Sequence, residues 1–540
     1  MRYFRVHVYQ GVALVLSLFL MLAGCGGNEG DTKSEAQKGP SDIGTSQEGQ
    51  LAAKANNRMA FDLFSKMNEA RPNKNIFFSP FSISHAIGMT LEGANKKTAT
   101  QIRKALHIPD QTDSQKYHRG MAYIFHLLQQ KDDSPEAAEI RKSVEALKKE
   151  LAEVRAEGKE LEETRSSMSR LKQLVQEEEV LVEKLNHKRT LIDDNECLLT
   201  NSIWVESSYV FSPKYLRSLS QHYGAETAFP ADFSSSPNAE RERINRWISE
   251  RTHSKINDVL SPGTIDKLTR FVLVNTIYFN GQWMDRFHEE WTKPEDFHLD
   301  AKDTIKVPTM SQYAEQCRYA AFNADGSYFK TPRDDAMVLK EDTPEDQRKY
   351  KSPGYPDKKG FYMAEMPYSG DRLSMVVVAP LSYDGLPRLE KLLTADRFYD
   401  WVEKLEKRPV RIYVPTFKMQ NDFDLIPFLS QLGMLNAFVM PSQNFKPEKQ
   451  ADFSPMLESG IPELYIGLVI HDAFLEVNEK GTEATAATIC AGWTMAAEGS
   501  GSHGGFFPFV PVFKADRPFL FFICDRKLKT ILFMGRVMRP

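Results

Sequence analysis

One stretch near the C-terminal end constrains this chain more than any other: Asn478 to Ala496, NEKGTEATAATICAGWTMA, followed directly by EGSGSHGG. A run built from Thr, Ala and Ile, without bulky core residues, makes a poor buried strand as it stands. Its residues are nevertheless strand-compatible, and the glycine-rich segment behind it belongs in solvent. The stretch reads as a loop in one state and a strand in another. Any fold assigned to the chain has to accommodate both.

Composition narrows the class. The 540 residues are 41% hydrophobic and 26% charged, with a formal net charge of -4, as expected of a soluble protein with an ample core. Lys and Arg number 69 against 73 Asp and Glu, which leaves no basic excess for nucleic acid. The length allows two domains, or one large domain carrying insertions.

The first residues, MRYFRVHVYQGVALVLSLFLMLAGCGG, carry Arg2 and Arg5, an apolar core and then small residues, the plan of a secretory signal peptide over 1–24. The apolar core is too short for a mature membrane span. Leu22-Ala23-Gly24-Cys25 resembles the lipobox of bacterial lipoproteins, which predicts a lipid on Cys25 and a chain tethered outside the cytoplasm. Residues 25–50 read as a flexible linker with a reach of about 25 to 30 Å. Beyond Cys25 the cysteines are Cys197, Cys317, Cys490 and Cys524, with no CxxC pair, so buried free thiols are expected rather than a disulfide scaffold.

Helical spacing begins at Leu51, and NIFFSPFSIS at Asn75 to Ser84 reads as a short strand running into a helix. Residues 134–190 then change texture to Glu, Lys, Arg, Leu and Val, with apolar residues at Val144, Leu147, Leu151, Val154 and Leu161, then Leu171, Leu174, Leu181 and Leu185. These heptad spacings predict an antiparallel helical hairpin turning near Ser166 to Ser169, with Gly158 as the competing turn. Such an arm would be nearly self-contained, either a partner-binding surface or a solvated spacer. Strands dominate afterwards, interrupted by a polar block at 323–359 that reads as a second surface insertion.

The motifs NIFFSPFSIS, LTNSIWVE at Leu199, FVLVNTIYFNGQW at Phe271, MPYSGDRLSMVVVAP at Met366, VPTF at Val414, DFSPM at Asp452, EVNEKGTEATAAT at Glu476 and RPFLFFICDRKLKTILFMGRV at Arg517 occur in one order over about 400 residues. In that order the chain resembles the serpins. The resemblance implies an α+β fold of three β-sheets, about nine helices and an exposed reactive loop, over 51–540. It also implies a suicide-substrate inhibitor of serine or cysteine proteases rather than an enzyme. The target protease cleaves the loop, forms an acyl-enzyme and is dragged away as the loop inserts into the central sheet. A non-inhibitory binding protein of the same fold is the alternative.

Under that resemblance Glu479, Gly481, Thr482, Ala484, Ala486 and Thr488 form the hinge. Thr482, Ala484, Ala486, Thr488 and Cys490 share the face that enters the interior, and all are small. Gly481 supplies backbone freedom. Ser79, Ser82, Asn275 and His471 match the polar shutter beneath the sheet, and Trp283 with Glu479 match the breach, where the loop first inserts. The family often places a lysine at Thr416 to partner that glutamate, and its absence leaves the partner of Glu479 open. The family's hinge-to-bond spacing gives Met495-Ala496 as the scissile bond, with Thr494 or Phe506/Phe507 as alternatives because the following segment is long. Met495 suits elastase-, chymotrypsin- or subtilisin-like pockets. HEEWT at His288 lacks the second histidine of a zinc helix, and GSGSHG at Gly499 is not a nucleophile elbow, so no cofactor or metal is expected. The expected partners are a target protease, the membrane through Cys25 and a protein on the arm. The chain is expected to be a monomer.

Overall fold

Helix α1 (Ser46–Ala70) starts before Leu51 because Thr45 caps it: the Thr45 hydroxyl accepts from the Glu48 N–H, and the Glu48 carboxylate takes the Thr45 N–H in return. Residues 46–50, expected to belong to the flexible linker, are therefore the first turn of α1. The structure, a computed structural model, describes residues 45–130, 134–164, 167–224, 227–331, 337–338, 356–442, 446–482, 507–508 and 510–540. Cys25, the segments 1–24 and 25–44, and most of the polar block lie outside them.

In chain order there follow β1 (Ile76–Phe78), α2 (Pro80–Glu92), α3 (Lys96–Ala105), α4 (Ser114–Gln129), α5 (Pro135–Thr164), α6 (Met168–Thr190), β2 (Glu196–Glu206), α7 (Pro213–Tyr223), β3 (Ala228–Ala231), α8 (Pro237–Arg251) and β4 (Phe271–Gln282). Next come β5 (Lys293–His298), β6 (Thr304–Ala314), β7 (Arg318–Phe322), β8 (Tyr328–Phe329), β9 (Met337–Val338), β10 (Phe361–Pro367), β11 (Leu373–Pro380), α9 (Leu386–Leu392), α10 (Ala395–Val402), β12 (Glu406–Lys407), β13 (Val410–Pro415), β14 (Phe417–Asp424) and α11 (Ile426–Gln431). The last are β15 (Leu468–Asn478), β16 (Gly481–Thr482), β17 (Phe507–Pro508), β18 (Val512–Lys514), β19 (Phe519–Asp525) and β20 (Thr530–Val537).

The central sheet has the order β14-β15-β16-β4-β2-β3. A second runs β1-β20-β19-β11-β10-β7-β12 with β8 added to β7, and a third runs β18-β13-β6-β5. The short pair β17–β9 sets Phe507 opposite Val338 and Pro508 opposite Met337. Alternation along β4 explains its unbroken apolar sequence. Leu273, Ile277 and Phe279 join the main core, while Val272, Val274 and Tyr278 join a second cluster with Trp204 of β2 and Ile244 and Ile248 of α8. Both faces of the central sheet are covered, so neither tolerates polar residues without partners.

Helices α5 and α6 pack through Val144, Leu151, Leu181 and Leu185. Ion pairs Arg155–Glu178 and Arg170–Glu157, both at 2.7 Å, tie their polar flanks. Gly158 lies within α5, and Ser167 caps α6 through its hydroxyl. The arm is not self-contained at its base. The Gly370 N–H donates to the Arg189 carbonyl at 2.7 Å, Asn195 donates to the Ser369 carbonyl at 2.7 Å, and the Arg189 guanidinium reaches the Met284 carbonyl. Heptad spacing reports only the stripe shared by the two helices, so these ties to the body were invisible in it.

Cys197, Cys317 and Cys524 are buried free thiols, and burial pushes the Cys197 thiol up to about 12. Cys490 lies outside the described residues.

Candidate functional site

The site is a fork at one end of the central sheet. Along Leu468 to Phe474, β15 pairs directly and in parallel with β4, from Leu468 opposite Val272 to Phe474 opposite Tyr278. Above that, β15 turns at Asn478 to Gly481, and β16 returns between the two strands. Val477 faces Thr482 and Asn478 faces Gly481 on one side. Gly481 faces Gln282 and Thr482 faces Gly281 on the other. Two residues of the opening stretch thus already occupy a slot whose lower part is closed.

The wedge is tight, which explains its residues. Glycine is demanded at 481 twice over: its φ of +157° is one that L side chains rarely adopt, as the backbone freedom expected from sequence implies, and a Cβ there would fall 1.9 Å from the Gly281 carbonyl oxygen. Across from it, a Cβ on Gly281 would meet the Phe279 ring at 2.6 Å. Thr482 is fully buried and faces the interior, its hydroxyl 2.6 Å from the Tyr368 phenol oxygen. Burial pushes that phenol far above its ordinary pKa, so it stays neutral. The Tyr368 ring lies flat on Trp283, with centroids 4.6 Å apart and planes 9° apart. Trp283 closes the turn, donating its indole N–H to the Asn478 carbonyl at 2.9 Å and its backbone N–H to the Lys480 carbonyl at 3.1 Å.

Glu479 lies in the same turn. Its carboxylate accepts the Thr292 hydroxyl at 2.6 Å, and its carbonyl accepts the Phe287 N–H at 3.0 Å. Thr292 thus fills the place of the partner that the sequence left open. Thr416 donates its N–H to the Pro308 carbonyl, and Lys480 pairs with Glu289 at 3.3 Å.

Further down, a polar row crosses three strands in register, Asn201 of β2 opposite Asn275 of β4 and Asn275 opposite His471 of β15. The Asn275 amide donates to Ser82 and Asn201, and its carbonyl oxygen takes the His471 Nδ1–H. That leaves His471 Nε2 to accept the Ser79 N–H at 3.1 Å, which fixes the neutral tautomer. Burial depresses the His471 pKa to about 3. The Ser79 hydroxyl donates to the Leu532 carbonyl at 2.6 Å and caps α2 through the Ser82 N–H. The row therefore joins the central sheet to α2 and β20.

Ser79, Ser82, Asn275 and His471 come together in this row, and Trp283, Glu479, Gly481 and Thr482 in the fork. Ala484, Ala486, Thr488, Met495 and Ala496 lie outside the described residues. Sequence reading missed Tyr368 and Asn201. Each sits inside a quoted motif, MPYSG and LTNSIWVE, but a lone buried Tyr or Asn carries no spacing that marks a partner. Among the described residues no group of three His, Cys, Asp or Glu side chains is placed to hold a metal.

Comparison with known proteins agrees with this architecture. The family described as Serpin (serine protease inhibitor) matches residues 54–330 and 335–540. Leukocyte elastase inhibitor A of Mus musculus is 31% identical over 495 residues, spanning 90% of this chain and 98% of the relative. Leukocyte elastase inhibitor of Bos taurus is 32% identical over 500 residues, 91% and 100% of the two chains. Serpin B3 of Homo sapiens is 30% identical over 491 residues, 90% and 99%. Among solved structures, uncleaved ovalbumin is similar with a TM-score of 0.63 at 22% identity, over 90% of this chain and 99% of its own. Human thyroxine-binding globulin gives 0.62 at 22%, over 91% and 99%. On its sequence, its three sheets and these similarities, the chain belongs to the serpin family.

Proposed function

We propose that the chain is an inhibitory serpin that traps an elastase-like serine protease by cleavage and insertion of its reactive loop. The observation that carries this is the register of the fork. If the register of Gly481 and Thr482 were continued, six residues on along the loop and six back from Gly281 and Val477 along their strands, an inserted Thr488 would meet Asn275 on one side and His471 on the other. The same count would set an inserted Ala484 between Phe279 and Leu475, Ala486 between Ile277 and Ala473, and Cys490 between Leu273 and Val469. Small residues would thus fall against a filled core, and the one hydroxyl below Thr482 on that face, that of Thr488, would fall on the polar row. On the opposite face Ile489 would fall between Val274 and Ile470, in the apolar cluster under α8. A run matched position by position to a closed slot is what insertion requires.

The slot ends at Val272 and Leu468, opposite Ala491, so Met495 clears its far end. The protease serine hydroxyl attacks the Met495 carbonyl carbon and gives up its proton. The bond to the Ala496 nitrogen breaks, that nitrogen leaves as an amine, and an ester joins protease to Met495. Insertion of Ala484 to Ala491 parts β4 from β15, replaces the His471–Asn275 bond by bonds through Thr488, and pulls the protease roughly 30 Å along the sheet. Hydrolysis of the ester then stalls because the protease's catalytic geometry is distorted. Met495 offers an unbranched apolar side chain to the primary pocket. The elastase inhibitors among the relatives support that pocket class, and the pairing of Phe507 with Val338 counts against the alternative bond at Phe506/Phe507.

In this reading α5 and α6 are an insertion in the serpin body and offer a protein-binding surface. Leu22-Ala23-Gly24-Cys25 supports a lipid on Cys25 and display on the outer side of a bacterial membrane, and mass spectrometry of the mature N-terminal peptide tests it. Incubation with neutrophil elastase tests the inhibitory reading. A complex that survives denaturing electrophoresis, with the chain cut after Met495, supports it. Cleavage with full turnover of the protease and no complex assigns the chain to the non-inhibitory alternative.

A further inference from the structure

A cavity of about 800 Å³ lies between the arm and the fork. Leu151 and Arg155 of α5, Arg189 of α6, Phe287 and Trp291 beyond β4, and Lys480 beside the wedge are among its walls. Its volume is that of a small-molecule site, and its walls combine apolar side chains with five cations and with the carboxylates of Glu183, Asp285, Glu289 and Glu315.

The charges in the cavity are unequally matched. Arg155 holds Glu178 at 2.7 Å, and Lys480 holds Glu289 at 3.3 Å. Asp285 takes the Gln316 N–H at 2.9 Å. Arg189 has no comparable partner. Its side chain is 5% exposed, and among the described residues its guanidinium makes one long hydrogen bond, 3.4 Å to the Met284 carbonyl, and no ion pair within 4 Å. Burial and the nearby Arg286 depress its pKa to about 9, which still leaves it charged at neutral pH. A buried, unpaired guanidinium is among the costliest groups a fold can carry, and five N–H donors in a planar fork suit a carboxylate.

We propose that this cavity binds a small organic anion, a carboxylate on an aromatic or aliphatic body, with the carboxylate on Arg189 and the body against Leu151, Phe287 and Trp291. The site is built jointly by the arm and the serpin body. Arg189 is a binding residue here, and the site is independent of whether the loop traps a protease.

The probe is 2-naphthoate, titrated into the intact chain by calorimetry and by tryptophan fluorescence, with the uncharged 2-naphthamide as its control. Saturable one-to-one binding of naphthoate is expected, at least about tenfold tighter than the amide. Arg189→Met keeps the apolar stem and should weaken naphthoate by about tenfold or more without affecting the amide, while Arg189→Lys should retain part of the affinity. No saturable binding to the unaltered chain overturns the proposal, as does equal affinity for acid and amide, or a folded Arg189→Met that binds naphthoate like the parent. If Arg189→Met does not fold, the acid-to-amide ratio and Arg189→Lys decide, since a charge-dependent site has to distinguish the two ligands.

Discussion

The hydroxyl of Thr482, between β4 and β15, sits 2.6 Å from the phenol of Tyr368, both side chains wholly buried in the uncut chain. The first interior position of the inserting run is therefore occupied in the intact chain, and Tyr368, braced on Trp283, is its floor. In the proposed mechanism loop insertion would extend an existing wedge, which spares the cost of nucleating a new strand in a closed sheet.

Thr482→Arg should abolish trapping while leaving cleavage intact. A guanidinium without a partner at this position costs several kcal/mol, enough to expel the wedge. Complex yield on denaturing gels should fall to background while the cleavage rate after Met495 holds. An unchanged yield contradicts insertion through this position.

Tyr368→Phe removes one buried hydrogen bond and leaves the ring stack in place. The Thr482 hydroxyl is left without its partner at a cost of about 1 to 3 kcal/mol. A lower melting temperature of the intact form is expected, along with faster proteolysis near Gly481. Equal melting temperatures would show that the bond contributes nothing.

Met495→Arg should redirect the inhibitor toward trypsin-like proteases, because a cation then meets an acidic pocket. Second-order inhibition rates against trypsin and elastase should exchange rank. Retention of elastase inhibition with no gain against trypsin places the scissile bond elsewhere.

His471 is held neutral by burial, with its folded pKa near 3 against an ordinary value of 6.5. The unfolded chain binds the extra proton first, so this group's contribution is present above about pH 6.5 and is lost as pH falls toward 3. His85 and His118, depressed by burial to about 3 and about 4, act in the same direction. The melting temperature should drop between pH 6.5 and 4, and His471→Gln should flatten that slope. An unchanged slope in the variant means that His471 does not titrate on unfolding.

Replacing 135–188 with a short Gly/Ser linker, Arg189 retained, should leave protease trapping intact. Most of the apolar stripe of α5 and α6 and the pairs Arg155–Glu178 and Arg170–Glu157 are internal to the segment removed; the packing on Ile192 and the Arg141–Asp194 pair are lost at its base, and the Gly370–Arg189 backbone bond is retained. A deletion variant that folds but forms no complex would make the arm part of the trap.

The strands, the order of the motifs and the polar row were legible in the sequence because each rests on several residues in fixed order. Ser79 and Ser82 belong to one motif, Asn275 to another and His471 to a stretch outside the quoted motifs, and one network gathers them. Gly481 was legible as a position of special backbone conformation, but its second reason, the Gly281 carbonyl where a Cβ would stand, depends on a strand 200 residues away. The Thr292 partner of Glu479 and the docking of Arg189 under Gly370 left no trace for the same reason. Long-range pairings of single residues have no periodicity, and the heptads of the arm describe only how its two helices meet each other.

The most direct test is the crystal structure of the chain cut after Met495. The register of the fork requires Gly481 to Ala491 to form one strand between β4 and β15, with Thr488 flanked by Asn275 and His471 and the direct pairing of Leu468–Phe474 with Val272–Tyr278 gone. A cut chain in which β15 still pairs with β4 along that whole length, with the loop outside the sheet, contradicts insertion and with it the inhibitory mechanism.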